Sequence, residues 1–340
     1  MRAFVLTGPR EFAVQDVPEP RAAAGEVVVG VERAGVCGTD VELFSSEMPY
    51  LREGQARYPL RPGHEWAGTV TAVGEGVDES WLGRRVMGDT MLGCGVCRRC
   101  RRGHQHTCAD RQEVGIRGGR HGALAEALSV PAWSLHALPD DMDWALGALV
   151  EPGGGALRAA RAAGCGPGDR ALVLGPGTIG LLVAMFLRGD GVEVHLLGET
   201  PDSLAFARSL GFDAGWSAEE PPRGLAFDAV IDCSGASALP ALAVELVEPA
   251  GRAVYIGLAG VPALLDTREL VLRDITAVGI LSASPGLEET IALYASGAVD
   301  PRPLVAATVG LGEVGAVLGG RRPAGAGPGP KIQVDPRRPG

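Results

Sequence analysis

Cys94, Cys97, Cys100 and Cys108 stand at the spacing C-x2-C-x2-C-x7-C. Four thiolates so spaced reach one point, and a tetrahedral Zn2+ takes such a soft set at about 2.3 Å. The stretch from about 94 to 108 is therefore expected to fold around a structural metal. Upstream lie Cys37-Gly38-Thr39-Asp40 and Gly63-His64-Glu65, and further on Glu151 sits in Val150-Glu151-Pro152. A thiolate, an imidazole and a carboxylate are the donors of a catalytic zinc that keeps one exchangeable position, although a lone Cys and a lone His are more often core residues. Cys165 and Cys233 read as buried small apolar residues.

The second chemical signal is Gly175-Pro176-Gly177-Thr178-Ile179-Gly180. It follows an apolar run and opens a helical one, the context in which a G-x-G-x-x-G turn brings its backbone close to a pyrophosphate at a helix N-terminus. The acid that usually ends the next strand and holds the adenosine ribose is displaced here. Gly198 occupies the expected position and Glu199 follows it. With Glu199 and Asp202 in this turn and no basic residue near, NAD is favoured over NADP.

These groups need two kinds of scaffold. Residues 1–146 read as short strands broken by Gly and Pro, among them Glu26–Arg33, Trp66–Val73 and Leu124–Val130. From Leu149 the texture becomes strand–helix alternation: strands at Ala171–Leu174, Val192–Leu197, Asp228–Asp232, Ala253–Ile256 and Ile275–Val278, with helices at Ile179–Arg188, Ser203–Leu210 and Leu239–Val247. That is an α/β chain with a doubly wound parallel sheet. After Ser284 the pattern loosens, and a glycine- and proline-rich loop precedes a last strand, Lys331–Val334. The run Gly153-Gly154-Gly155 reads as an awkward helix start.

Bulk properties narrow the function. With 31 basic against 41 acidic side chains, the formal charge of −10 disfavours nucleic acid and anionic membranes as partners. The start lacks an apolar leader core, no segment gives enough consecutive apolar residues to span a bilayer, and an odd total of seven cysteines, four of them in tight metal-type spacing, suits a reducing compartment. A cytoplasmic protein is expected.

The stretch Gly63-His64-Glu65-Trp66-Ala67-Gly68, with Gly74 and Val77 beyond it and the four-cysteine lobe downstream, resembles the zinc-dependent medium-chain alcohol/polyol dehydrogenases. The resemblance implies a GroES-like catalytic domain from residues 1–149 and 285–340, with a Rossmann dinucleotide-binding domain at 150–284. It implies one catalytic and one structural Zn2+. Cys37 and His64 become catalytic-zinc ligands, Glu65 and Glu151 direct or water-mediated partners, and Thr39 the first proton relay, while Asp40 orients His64. Cofactor contacts fall on Gly175, Gly177, Thr178, Ile179, Gly180 and Glu199.

Where many relatives place a relay histidine, this chain has Glu42. With Ser45, Asp89 and Thr90 it suggests a polar pocket, hence a polyol, aminocyclitol or sugar, with a resemblance to aminocyclitol dehydrogenases. Threonine-type or simple secondary alcohols are the alternative, and a non-catalytic zinc-binding relative is a further one. A homo-oligomer, dimer or tetramer, is expected.

Overall fold

Val27, Val29 and Val31 are fully buried, and this β-branched run makes Glu26–Gly35 the hub of the first sheet. The computed structural model describes residues 1–338. Its hub strand pairs antiparallel with Glu65–Val73, with Ala127–Pro131 and with Lys331–Val334. Arg85–Gly88, Leu135–Ala137 and Val305–Val309 complete a seven-stranded sheet. Its core gathers Phe4, Leu43, Trp66, Leu124 and Leu128. Register matters here, because Gly35 stands opposite both Glu65 and Gln333. The ends of three strands distant in sequence therefore meet just before Cys37.

The chain divides into two compact units, residues 1–151 with 287–295 and 301–340, and residues 152–286 with 296–300. The second unit is a six-stranded parallel sheet. Its order runs Gly215–Ser217, Glu193–Gly198, Arg170–Leu174, Phe227–Asp232, Val247–Tyr255, Thr276–Gly279. In chain order this is 3-2-1-4-5-6, the doubly wound arrangement whose strand order reverses beside the first strand. Leu172, Leu174, Phe227 and Val230 form its core.

Several elements differ from the sequence reading. Residues 124–126 do not join the strand Ala127–Pro131. Leu124 accepts a hydrogen bond from Phe4 N at 2.8 Å and Ala125 bridges Ala3, so the terminal strand Arg2–Gly8 takes some of their backbone groups, while Leu124 N donates to the Pro62 carbonyl and the Glu126 carbonyl accepts from Val31 N. After Ser284 the chain is more ordered than its composition suggests, with the helix Leu287–Ala295 and the strand Val305–Val309. The helix Val150–Ala163 starts before Gly153, not at it. There Gly286 passes so close to Gly154 that a Cβ would stand 2.5 Å from its carbonyl oxygen, so the small residues serve packing. Cys165 and Cys233 are half-buried, because each lies just past the end of an element. No helix among the described residues is long and apolar enough to cross a membrane.

Candidate metal and cofactor sites

Four sulfurs at about 2.3 Å from a tetrahedral centre stand about 3.8 Å apart. In this lobe Cys97 Sγ lies 3.5 Å from Cys100 Sγ and 3.8 Å from Cys108 Sγ, and Cys94 and Cys100 are 4.0 Å apart. The spacing is that of a metal tetrahedron, and none of the seven cysteines forms a disulfide. Gly93 makes the room, since a Cβ there would stand 2.7 Å from Cys100 Sγ. The Cys100 N–H steadies the Cys97 thiolate, taking it down to about 6, whereas desolvation and the neighbouring thiols push Cys100 up to about 12. Four thiolates here need a cation.

The second donor group forms where the three strand ends meet. Cys37 caps the helix Gly38–Ser45, and His64 and Glu65 enter the strand Glu65–Val73. One ligand atom from each of Cys37, His64 and Glu65 falls within a 4.8 Å cluster. Asp40 is fully buried and ties the two loops together, accepting from Cys37 N at 2.9 Å and Gly63 N at 3.0 Å. It stands 3.7 Å from His64 Nδ1, too far for a hydrogen bond, and that buried nitrogen has no partner. Glu151 lies outside the 4.8 Å cluster and is held by Thr90, whose hydroxyl is 3.4 Å from Glu151 Oε1 and 3.1 Å from the His64 carbonyl oxygen.

Electrostatics favour a cation here as well. Burial raises Asp40 and pushes Glu151 up to about 7, with Glu65 and Asp89 adding repulsion. Burial works against a charged His64, yet Cys37, Asp40 and Glu151 together hold it well above the ordinary histidine value. Among the described residues the only lysine of the chain, Lys331, is the fixed positive charge of the group, and it is spent on Glu65. An imidazole and a thiol in contact, with an excess of buried carboxyls around them, fit a zinc ion.

Two pocket residues of the sequence reading are internal struts instead. Thr90 is 2% and Asp89 3% exposed. Asp89 accepts from Met91 N and from Gln105 Nε2 at 3.3 Å, which links the cysteine lobe to the Asp89–Thr90 stretch. Glu42 and Ser45 are half-buried on the Cys37-capped helix, beside the equally half-buried Thr39. Lys331 and Gly35 escaped the sequence reading. The signal for the first was available, as one lysine among thirty-one basic residues.

In the parallel sheet each glycine of the turn has its own task. Gly175 takes φ 88°, a left-handed value that a side chain resists. Gly180 lets the helix Thr178–Gly189 close on the strand, because a Cβ would stand 2.0 Å from the Gly175 carbonyl oxygen. A Cβ on Gly177 would meet open space, which leaves the helix N-terminus accessible to a phosphate. Gly198 ends the second strand, and a Cβ there would stand 3.0 Å from both Pro176 and Leu204. An acid has little room at 198, and Glu199, one place on, is exposed.

Residues 23–140 match the family model of the alcohol dehydrogenase GroES-like domain, and residues 178–296 match that of zinc-binding dehydrogenase. The chain is 31% identical to an L-threonine 3-dehydrogenase of Saccharopolyspora erythraea, over 82% of this chain and 83% of the relative. It is 31% identical to a D-altritol 5-dehydrogenase of Agrobacterium fabrum, over 83% of each. Among solved structures, a zinc-binding dehydrogenase of Sinorhizobium meliloti bound to NADP superposes with a TM-score of 0.89 at 27% identity, covering 98% of this chain and 99% of that one. With two donor clusters, a glycine turn on a doubly wound sheet and these matches, the chain belongs to the zinc-dependent medium-chain alcohol/polyol dehydrogenase family.

Proposed function

We infer that this chain transfers a hydride between a secondary alcohol of a polyol, sugar or aminocyclitol and NAD. The observation that carries the reading is the cluster of Cys37, His64 and Glu65 within 4.8 Å. A zinc ion held by Cys37 and His64, with Glu65 and Glu151 as exchanging or water-mediated partners, would polarise the substrate oxygen and lower the alcohol pKa. In this reading Thr39 accepts the hydroxyl proton. Glu42 lies three residues further along the same helix, and its carboxyl is raised by burial and by Glu47. It passes the proton on or accepts hydrogen bonds from further substrate hydroxyls. The turn Gly175, Gly177, Thr178, Ile179 and Gly180 holds the cofactor pyrophosphate, and Glu199 accepts from the ribose hydroxyls.

Threonine is the second reading, favoured by an identity to the threonine enzyme equal to that of the altritol enzyme. Nicotinamide absorbance, followed across cyclic polyols, aminocyclitols, threonine and 2-propanol with both cofactors, separates them. With Thr90 turned inward, Glu42 and Ser45 remain to read extra hydroxyls, so the best polyol should exceed 2-propanol by about 100-fold in kcat/KM. NAD should exceed NADP, and Glu199→Arg should shift the ratio toward NADP. Equal rates on 2-propanol would remove the polyol assignment, and a tenfold preference for NADP would remove the cofactor one.

Self-association completes the proposal. Thr276–Gly279 is an edge strand of the parallel sheet, and near it in sequence Leu258, Leu264, Val271 and Leu272 are 79%, 90%, 80% and 79% exposed. A second copy offers an identical edge, so a two-fold pairing satisfies both open backbones and covers both apolar sets. Sedimentation velocity should show a dimer or tetramer for the native chain and monomer for a Val271→Glu, Leu272→Glu double variant. A native monomer at micromolar concentration would refute this.

A further inference from the structure

We propose that Lys331 and Gly35 form a seat that holds the Glu65 carboxylate back from the metal, so that Lys331 is a positioning residue that sets how readily Glu65 becomes a ligand. The inference rests on the reading of Cys37 and His64 as metal ligands. Lys331 Nζ lies 2.9 Å from Glu65 Oε1 and 2.8 Å from Oε2, and it donates to the Val36 carbonyl oxygen at 3.0 Å. Three ammonium protons thus meet three acceptors. Both side chains are buried, Lys331 at 3% and Glu65 at 1% exposure.

Gly35 supplies the floor of the seat. A Cβ there would stand 1.9 Å from Glu65 Oε2 and 3.1 Å from its Cδ. The glycine has no left-handed φ to explain it, so the space itself is what the position provides. Lys331 enters from the strand that pairs with the hub, two residues before Gln333, which stands opposite Gly35. A compact ammonium suits this corner better than the broad fork of an arginine, and it is the one place where the chain uses lysine.

The seated carboxylate still belongs to the 4.8 Å cluster with Cys37 and His64. Two cations therefore compete for one carboxylate: the fixed ammonium and the metal. Removing the ammonium leaves a buried anion whose remaining cationic partner is the metal. The apo form should lose more stability than the loaded form, and by linkage the metal is then held more tightly. A merely structural ion pair predicts the reverse, a looser site.

The test is zinc release from the full-length loaded protein to a chromophoric chelator, followed in time. The native chain should show two phases, one from the Cys37–His64 site and one from the four-cysteine lobe. In Lys331→Met the first of these should slow by about 10- to 100-fold, the range that outer partners of metal ligands exert on affinity. Gly35→Ala, which unseats the carboxylate with Lys331 in place, should slow it too. Adding Glu65→Gln to Lys331→Met should restore the native rate, since an amide is a poor ligand for zinc. Unchanged or faster release in Lys331→Met and Gly35→Ala would overturn the seat while leaving the metal site intact. A native chain that releases zinc from the lobe alone would overturn the metal reading and the seat with it.

Discussion

His64→Ala should lower kcat/KM by at least about 1,000-fold, because in the proposed mechanism the alcohol is activated by a Lewis acid worth several kcal/mol in the transition state. His64 is 5% exposed and stands where Cys37 and Glu65 converge. Its loss leaves a thiol and a carboxylate already engaged by Lys331, a poor set for a divalent ion. Elemental analysis should fall from about two zinc ions per chain to about one. The sheet core of Phe4, Trp66 and Leu128 stays intact, so the fold should persist, with some loss of melting temperature because the buried Asp40 and Glu151 lose a cationic partner. Cys37→Ala should behave alike. Near-native activity in His64→Ala would show that the reaction does not run through this cluster.

Cys100→Ala should fail in a different way. Between Cys94 and Cys108 the lobe has two single-turn 3-10 helices, Cys100–Arg102 and Gln105–Thr107, and little core beyond Cys108 and His106. Such a stretch cannot bury enough apolar surface to order itself, so a bound metal would supply its folding free energy. The variant should lose the lobe's zinc, become open to protease between residues 94 and 108, and aggregate on heating. A loss of several kcal/mol at this size corresponds to a fall of roughly 5 °C or more in Tm. Activity should decline further through the Gln105–Asp89 hydrogen bond, which connects the lobe to Thr90 and so to Glu151. A lobe that resists protease and keeps its melting temperature without zinc would refute the structural role.

The contrast between these variants follows from how each site is written in the chain. The lobe's four sulfurs lie within fifteen residues, and the glycine turn spans six. Spacing over so short a distance nearly determines where the atoms go, so both were legible directly. The strand–helix alternation was legible for the same reason, since periodicity is a local property. Boundaries were less so: residues 124–126 carry strand-like side chains, but their backbone bonds are divided among the first strand of the chain, Pro62 and Val31, a choice made by partners far away.

Sequence alone therefore determined the four clustered sulfurs, the glycine turn that opens a helix, the alternation of strand and helix in the second unit and the pairing of Cys37 with His64, while the short strand Gly215–Ser217 and the spatial order of the parallel sheet were not legible in it. Tertiary structure decided what each donor faces. Thr90 and Asp89 look like pocket residues in the sequence, yet packing turns them inward to brace Glu151, the His64 carbonyl and the lobe. Glu65 looks free to bind a metal, yet Lys331, 266 residues away, holds both its oxygens. That meeting depends on the register of three strands, which sets Gly35 opposite Glu65 and Gln333. A slip of one residue would send every side chain to the other face, and no local pattern around Glu65 or Lys331 records which register the folded sheet adopts.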